Sequence, residues 1–185
     1  MPITPPPENC PWCGSGRLRT RRAARRHRAA ARAMLPFPEP ESWLDVGTGH
    51  GHFPETAREI HPYTAFDGLD PTPLVHEARA AGRIEEAHHG HLTDPRILAR
   101  LRARYDVVSM FRHLEHVPDP RAELRAALML LRPEGHLLIE APDGAAVPPA
   151  GDLRALGCLT VAVRRCGPPA ARRVRIVASL APSSP

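Results

Sequence analysis

The chain has 185 residues, 42% of them hydrophobic, which is enough for one well-cored domain and a small appendage but not for two full domains. No stretch approaches the roughly 18 consecutive apolar residues of a membrane helix, and the first ten residues do not resemble a secretion signal, so we expect a cytoplasmic protein without membrane spans. The formal net charge is +5, but residues 17–32 alone contain eight arginines and no acid, which leaves −3 on the rest of the chain. The basicity is therefore confined to one segment, which argues against a body that binds nucleic acid throughout.

Residues 1–40 are predicted to form an amino-terminal arm, beginning with the proline-rich residues 1–9. Cys10 and Cys13 form a C-x-x-C pair in a chain without a secretion signal, which favours thiols or a metal over disulfides. The pair is half of a zinc site, because a structural zinc normally has four ligands. The other ligands would have to come from residues distant in sequence: His27, Cys158 or Cys166.

The arginine-rich segment is predicted to be a helix that runs to Leu35, where the prolines of residues 36–40 end it. Three interpretations remain open: a solvated helix that covers the domain, a phosphate-binding surface for nucleic acid, or a site for an acidic substrate. No aromatic residue is interleaved with the arginines, which argues against a base-stacking platform.

Short apolar runs alternate with helical patterns from residue 41 to the end, and this order predicts a parallel α/β sheet with helices on both faces. The tail predicts a short helix over residues 152–157 and then an antiparallel hairpin, 158–165 and 172–180, at the sheet edge. The hairpin brings the predicted number of strands to seven. The other predicted strands are 42–46, 63–70, 84–89, 105–111 and 136–142, and the predicted helices between them are 55–60, 73–82, 94–104 and 120–132.

The first predicted strand runs into the sequence LDVGTGHG, in which Gly47, Gly49 and Gly51 alternate with other residues. In a doubly wound sheet the ligand lies beyond the carboxyl ends of the strands, and glycines there allow a sharp turn and a close approach. The spacing differs from the G-x-G-x-x-G of dinucleotide sites. Asp45, just before the turn, would repel a pyrophosphate and attract a cationic group.

Asp70 ends the second predicted strand, 23 positions after Gly47, near the distance at which an acid binds ribose hydroxyls. A ligand with a ribose and a cation but no phosphate matches S-adenosylmethionine.

Four segments, LDVGTGHG, FDGLDPTP, YDVVSMFRHLEHVPDP and LRPEGHLLIEAPD, resemble the successive motifs of class I S-adenosylmethionine-dependent methyltransferases. The resemblance covers roughly residues 42–143 and is strongest to the branch that includes the ubiquinone-biosynthesis O-methyltransferases. It implies a Rossmann-like sheet of seven strands, parallel except for a reversed last strand. It also implies cofactor contacts: Asp45, Gly47, Gly49 and Gly51 around the methionine part, Asp70 on the ribose, Leu92 near adenine and Phe111 near the sulfonium.

At the adenine position this chain has Gly90 and His91 where the family commonly has an acid, and Asp94 is the nearest substitute. The neighbouring run of histidines at residues 88–91 could ligate a metal, but without spaced acidic or thiolate partners we expect a solvated loop.

Methyl transfer from a sulfonium is an in-line displacement, for which alignment of the reactants can supply about 7 to 11 kcal/mol. A general base is needed only if the acceptor starts protonated, and His113, Glu115 and His116 are the candidates. Glu115 and His116 are also well placed to cap and orient the turn that follows, so His113 is the residue we expect to contact the acceptor.

We therefore predict a methyltransferase domain over residues 41–185 with a small-molecule acceptor. Only residues 143–157 separate the fifth strand from the hairpin, which is short for a substrate cover. Two alternatives stay open: a degenerate cofactor-binding protein without turnover, and a nucleic-acid-binding module that uses the arginine-rich helix.

Overall fold

Seven strands form a single sheet in the computed structural model, which describes residues 17–143, 150–167 and 172–180. The strands are β1 Ser42–Val46, β2 Ala65–Asp70, β3 Ala87–His89, β4 Tyr105–Phe111, β5 Leu131–Pro142, β6 Cys158–Cys166 and β7 Arg173–Leu180. Their order across the sheet is β3-β2-β1-β4-β5-β7-β6. Strands β1 to β5 pair in parallel, whereas β7 is antiparallel to both of its neighbours, β5 and β6. The predicted sheet with one reversed last strand is confirmed.

Helices connect these strands: α1 Arg17–Ala31, α2 His52–Ala57, α3 Leu74–Ala80, α4 Pro95–Leu101, α5 Pro120–Leu130 and α6 Ala150–Ala155. Two single 3-10 turns lie at Arg32–Met34 and Leu114–His116. Asp94 and Asp119 begin α4 and α5, and each accepts hydrogen bonds from the first backbone N–H groups of its helix, with a proline at the first helical position. No helix among the described residues is long and apolar enough to cross a bilayer.

Two predicted strand starts differ from the structure. Strand β2 begins at Ala65 instead of residue 63, because Tyr63 follows a proline and is 86% exposed, while the Thr64 hydroxyl donates to the carbonyl of Pro40. Strand β3 is only three residues long, because Ile84 packs beneath α3 instead of pairing in the sheet.

The boundary between α5 and β5 also lies earlier than predicted. The helix ends at Leu130, and Leu131 already pairs with Tyr105 of β4. Glu134 then takes a left-handed backbone conformation, with φ of +63°. The apolar pattern predicts a loop at this position, between a helix that ends at residue 132 and a strand that begins at residue 136. Periodicity locates α5 but not this irregular start of the strand.

The sheet separates two hydrophobic clusters. Neighbouring residues of a strand point to opposite faces, so Leu44 packs with α4, α5 and α6 while Trp43 packs on the other face with α1 and α2. The end of α1 and the 3-10 turn after it are part of this second core through three buried side chains, those of Ala30, Ala31 and Met34. The arginine-rich helix is therefore anchored on the sheet and shares its core.

Candidate active site

The glycine loop lies at the carboxyl end of β1 and is tied to β2 by backbone hydrogen bonds. Gly47 N–H donates to the carbonyl of Leu69 over 2.8 Å, and Gly49 N–H donates to Oδ2 of Asp70, also over 2.8 Å. All three glycines have positive φ, namely +73° at Gly47, +52° at Gly49 and +73° at Gly51. Such angles favour glycine, so the turn depends on these residues for its shape.

The space beside the three glycines differs. A Cβ on Gly47 would lie 3.1 Å from Nδ1 of His113, and a Cβ on Gly51 would lie 3.0 Å from the Cβ of Ala78. A Cβ on Gly49 would meet no atom within 4 Å. Packing therefore requires glycine at the first and third positions, whereas the middle glycine borders unfilled space.

Asp70 is held rigidly at the end of β2. Its Oδ1 accepts hydrogen bonds from the backbone N–H and the hydroxyl of Thr72, and its Oδ2 accepts the bond from Gly49. A carboxylate has about four acceptor positions, so these three bonds leave it able to accept another.

Asp45 lies beneath the loop and is only 3% exposed. Its Oδ1 accepts a 2.7 Å hydrogen bond from the hydroxyl of Ser109, which in turn accepts a 3.0 Å bond from the indole N–H of Trp43. Burial raises the pKa of Asp45 to about 7, and the hydroxyls of Ser109 and Thr48 counteract part of that rise. A cationic group placed beside this carboxyl would stabilise its charged form.

The residues predicted near adenine lie beyond the end of β3. Leu92 is buried in the core and Asp94 accepts the α4 N-cap bond from Arg96 N–H over 2.8 Å. Gly90 donates its N–H to the carbonyl of Asp70, which ties this segment to the end of β2, while His91 is exposed.

The segment after β4 brings two predicted residues close to the loop. The ring of Phe111 lies 4.2 Å from that of Phe53 on α2. His113 is largely buried, and its Nε2 lies 3.0 Å from Oε2 of the buried Glu123 on α5. An ionised Glu123 can only accept, so Nε2 is the donor of this contact, and Nδ1 is the nitrogen that faces Gly47.

Glu115 and His116 occupy the single 3-10 turn after His113. His116 is 66% exposed. Neither carboxylate oxygen of Glu115 accepts a hydrogen bond from the residues that the structure describes, and Nε of Arg112 lies 3.7 Å from Oε1. The described contacts thus show Glu115 beside a guanidinium and no side-chain cap on this turn.

Sequence reasoning missed a charged cluster at the end of β5. Glu140 is 2% exposed, and its carboxylate lies 2.7 Å from Nη2 of Arg175, 2.8 Å from Nε of Arg173 and 3.7 Å from Nε of Arg26. Arg175 also donates to the backbone carbonyl of Ala29 over 2.7 Å, which joins α1 to the sheet. The sequence held one signal for this cluster. Glu140 follows an apolar run, and Arg173 and Arg175 stand two positions apart on the last strand.

The cysteine prediction falls partly outside the described residues, since Cys10 and Cys13 lie there. Cys158 is buried and Cys166 is partly exposed, both as free thiols, and burial raises the pKa of Cys158. These two cysteines end the same strand, β6, about 26 Å apart at 3.3 Å per residue, so they cannot share one metal ion. His27, the other suggested ligand, packs against the rings of Phe53 and Phe111.

The histidine run at residues 88–91 is not uniformly solvated as predicted. His88 is buried, with Nε2 3.1 Å from the hydroxyl of Tyr105 and Nδ1 3.1 Å from Nη2 of Arg100. Asp67, Glu86 and His88 approach one another, but Arg104 lies 2.8 Å from Glu86 and 3.8 Å from Asp67. The guanidinium group of Arg104 already neutralises negative charge on the carboxylates that would have to bind a metal cation. We therefore interpret this cluster as a structural hydrogen-bond network.

A cavity of about 440 Å³ opens at the opposite edge of the sheet, near the amino ends of β1 and β4. Pro40, Glu41, Asp106 and His136 are among the residues that line it. None of the predicted site residues lies there, so the candidate site is defined by the side chains at the carboxyl edge.

Comparison with known proteins agrees with this geometry. A family model described as a methyltransferase domain matches residues 16–168. The ubiquinone biosynthesis O-methyltransferase of Cronobacter sakazakii is 38% identical over 96 residues, which are 51% of this chain and 39% of that protein. The chain thus spans less than half the length of this curated relative.

Two solved structures show the same fold. A SAM-dependent methyltransferase from Thermotoga maritima superposes with a TM-score of 0.65 at 17% identity, covering 88% of this chain and 91% of that one. The 1,6-didemethyltoxoflavin-N1-methyltransferase of Burkholderia thailandensis, solved with its acceptor and S-adenosylhomocysteine, gives 0.63 at 23% identity, covering 86% and 78%. The family model matches more than half of the 185 residues of this chain, so the chain belongs to the methyltransferase domain family.

Proposed function

We propose that the protein transfers a methyl group from S-adenosylmethionine to a small-molecule acceptor. One observation carries the proposal: two buried acids, Asp45 and Asp70, lie at the carboxyl ends of adjacent strands beside a glycine loop. This arrangement suits a ligand that has a cation and a ribose. Membership of the methyltransferase domain family supports the same conclusion.

The residues of this site fit the cofactor. When bound, S-adenosylmethionine supplies an electrophilic methyl group on a sulfonium. Asp45 would pair with the amino group of the methionine part, because burial disfavours its charged form and a cation beside it would stabilise that form. Asp70 would accept hydrogen bonds from the ribose hydroxyls. The methionine part of the cofactor would enter the unfilled space beside Gly49. Leu92 would form the apolar contact for adenine, and Phe111 would lie near the sulfonium, where an aromatic face stabilises a cation.

His113 is the proposed base for acceptors that begin protonated. Glu123 fixes the ring and its tautomer, which leaves the lone pair on Nδ1 to receive a proton. His116, exposed on the following turn, is the weaker candidate. Such a base typically contributes about 10² to 10⁴ fold, and alignment of donor and acceptor supplies the larger part.

The small-molecule acceptor and the amino-terminal arm are part of the proposal. The relatives' names include O- and N-methyltransferases, which supports a small acceptor but not one methylated atom. Zinc at Cys10 and Cys13 stays a prediction, and metal analysis of the purified protein would test it. Nucleic acid is less favoured, because Arg28 of α1 already pairs with Glu59.

Calorimetric titration with S-adenosylmethionine and S-adenosylhomocysteine tests the proposal, with Asp70→Ala as the disabling variant. The control is Glu85→Ala, which removes an exposed acid before β3, and circular dichroism checks that both variants fold. We expect micromolar binding by the wild type and the control, and at least a tenfold loss in Asp70→Ala. No binding by folded wild-type protein would contradict the proposal. Binding without methyl transfer from radiolabelled cofactor to a broad acceptor panel would favour the degenerate alternative.

A further inference from the structure

The cluster around Glu140 lies on the acceptor side of the candidate site. In a doubly wound sheet the strand order reverses at one point, here between β1 and β4, and ligands bind in the crevice at that point. The candidate cofactor residues other than Phe111 lie on β1, on β2, in the loop after β1 and in the segment after β3. Strands β4 and β5 lie across the crevice, and Phe111, the last residue of β4, pairs with Glu140 near the end of β5.

The groups at this end of the sheet carry excess positive charge. Four guanidinium groups, those of Arg26, Arg112, Arg173 and Arg175, gather around two acids, Glu140 and Glu115. The nearby Asp143 is matched by Arg165, 3.5 Å away. Among the described residues, these ion pairs thus join five arginines to three acids, which gives the cluster a formal charge of +2.

The four arginines are not equivalent. Arg175 is buried and holds α1 in place through Glu140 and the carbonyl of Ala29, which is a structural role. Arg26 and Arg173 are partly exposed, and Arg112 is mostly exposed. Burial, and then the neighbouring Arg173 and Arg112, lower the pKa of Arg26, while Glu140 raises it. Arg26 thus lies close enough to Arg173 and Arg112 for their repulsion to lower its pKa.

Arg112 also holds an unusual backbone conformation, with φ of +55° directly after Phe111. A non-glycine residue in the left-handed region costs roughly 1 to 2 kcal/mol. The Arg112 N–H donates to the carbonyl of Glu140 over 2.9 Å, so the strained residue is fixed to the end of β5. Strain of this kind collects at functional sites.

The floor beside these arginines is apolar and aromatic. Phe111 and Phe53 are in ring contact, and His27 of α1 packs edge-on to Phe53 with its centroid 5.8 Å away. Burial and the neighbouring Arg26 lower the pKa of His27 to about 4, so its ring is neutral at physiological pH. The uncharged rings of Phe111, Phe53 and His27 thus lie beside the cationic side chains of the arginines.

We propose that the acceptor is a small aromatic or apolar molecule bearing a carboxylate or phosphate, which Arg26, Arg112 and Arg173 bind while its body packs on Phe111. Planar guanidinium groups match both anions through paired hydrogen bonds, and desolvation beside the rings strengthens them. Glu140 holds the guanidiniums in position and cancels only part of their charge. This assignment rests on the proposed function, because it takes the crevice to hold donor and acceptor side by side.

Titration of the protein saturated with S-adenosylhomocysteine tests the assignment, with three probes of similar shape: benzoate, phenyl phosphate and benzamide. We expect both anions to bind at least tenfold tighter than the neutral amide. Arg26→Gln and Arg112→Gln should each reduce the preference for benzoate by at least threefold, with the affinity for S-adenosylhomocysteine unchanged. The matched control is Arg25→Gln, which removes an exposed arginine from the same turn of α1.

Equal affinity for benzoate and benzamide, no binding of either anion, or an equal effect of Arg25→Gln would overturn the anionic acceptor while leaving the proposed function intact. Failure of the wild type to bind S-adenosylhomocysteine would instead overturn the proposed function, and this assignment with it. The two failures are separate because the cofactor product is titrated first.

Discussion

The backbone N–H of Gly49 donates a 2.8 Å hydrogen bond to Oδ2 of Asp70, which joins the loop after β1 to the last residue of β2. The two residues are 21 positions apart, and their elements are adjacent parallel strands. The bond fixes the acid and the loop in one arrangement, so the two sides of the candidate cofactor site are set before any ligand arrives. Preorganisation of this kind lowers the free-energy cost of binding.

Gly49→Ala tests whether the unfilled space beside this loop is the cofactor site. The added methyl meets no protein atom within 4 Å, so the fold should lose only the roughly 1 kcal/mol that a positive φ costs alanine. The same methyl should block the ligand and weaken S-adenosylhomocysteine binding at least tenfold by calorimetry.

Gly82→Ala is the matched control, because Gly82 also has a positive φ, of +68°, and open space around its missing Cβ, but it follows α3. It should show the same small loss of stability in urea unfolding and normal ligand affinity. If both variants bind as tightly as the wild type, the cofactor does not approach Gly49.

The local parts of the site could be read from the sequence, and the distant contacts could not. The glycine spacing and the acid that ends β2 lie within one strand–helix–strand unit, where periodicity and position determine the geometry. The cluster of Glu140 with Arg175 joins two strands 35 residues apart, and Arg175 reaches Ala29 across 146 residues. The role of the arginine-rich helix stayed open between three interpretations, because no local signal shows which arginine meets a buried acid.

Glu140→Gln should be strongly destabilising, because it leaves the buried guanidinium of Arg175 without its acid. Breaking one side of a buried ion pair costs about 3 to 5 kcal/mol. Urea unfolding followed by tryptophan fluorescence measures this change, since Trp43 is fully buried.

Glu59→Gln is the comparison for that measurement. Glu59 pairs with Arg28 through two hydrogen bonds, of 2.8 and 3.1 Å, but on the surface. Exposed pairs contribute at most about 1 kcal/mol. Equal losses in the two variants would show that the environment of Glu140 is as solvated as that of Glu59.

Tyr105→Phe should cost about 1 to 3 kcal/mol, because the buried Asp67 loses a donor. The Tyr105 hydroxyl donates a 2.8 Å bond to Oδ2 of Asp67. Burial raises the pKa of Tyr105 well above its usual value, so the group donates at all physiological pH values. Tyr63→Phe removes the same hydroxyl from a side chain that is 86% exposed and should change the free energy of unfolding by less than about 0.5 kcal/mol. A loss below that limit in Tyr105→Phe would show that the network is replaceable by water.

The pH dependence of stability should report on Asp45. Its pKa rises from 3.8 in the unfolded chain to about 7 in the folded one, so the folded state binds the extra proton between these values. The resulting stabilisation is complete below about pH 4 and is lost as the pH rises through 7, on the order of 4 kcal/mol in total. Asp45→Asn removes this contribution, so the difference in unfolding free energy between variant and wild type should grow in favour of the variant from pH 4 to pH 8.

Ligand binding should reverse that preference, because the amino group of S-adenosylhomocysteine stabilises the ionised carboxylate. At pH 6 the free wild type holds its proton and should release close to one proton on binding, whereas Asp45→Asn should release none. Calorimetry in two buffers with different ionisation enthalpies measures the release directly, since the observed heat differs between buffers in proportion to the protons transferred. Identical heats in both buffers for the wild type would mean that Asp45 does not meet the cationic group, and the cofactor would then have to bind in another orientation.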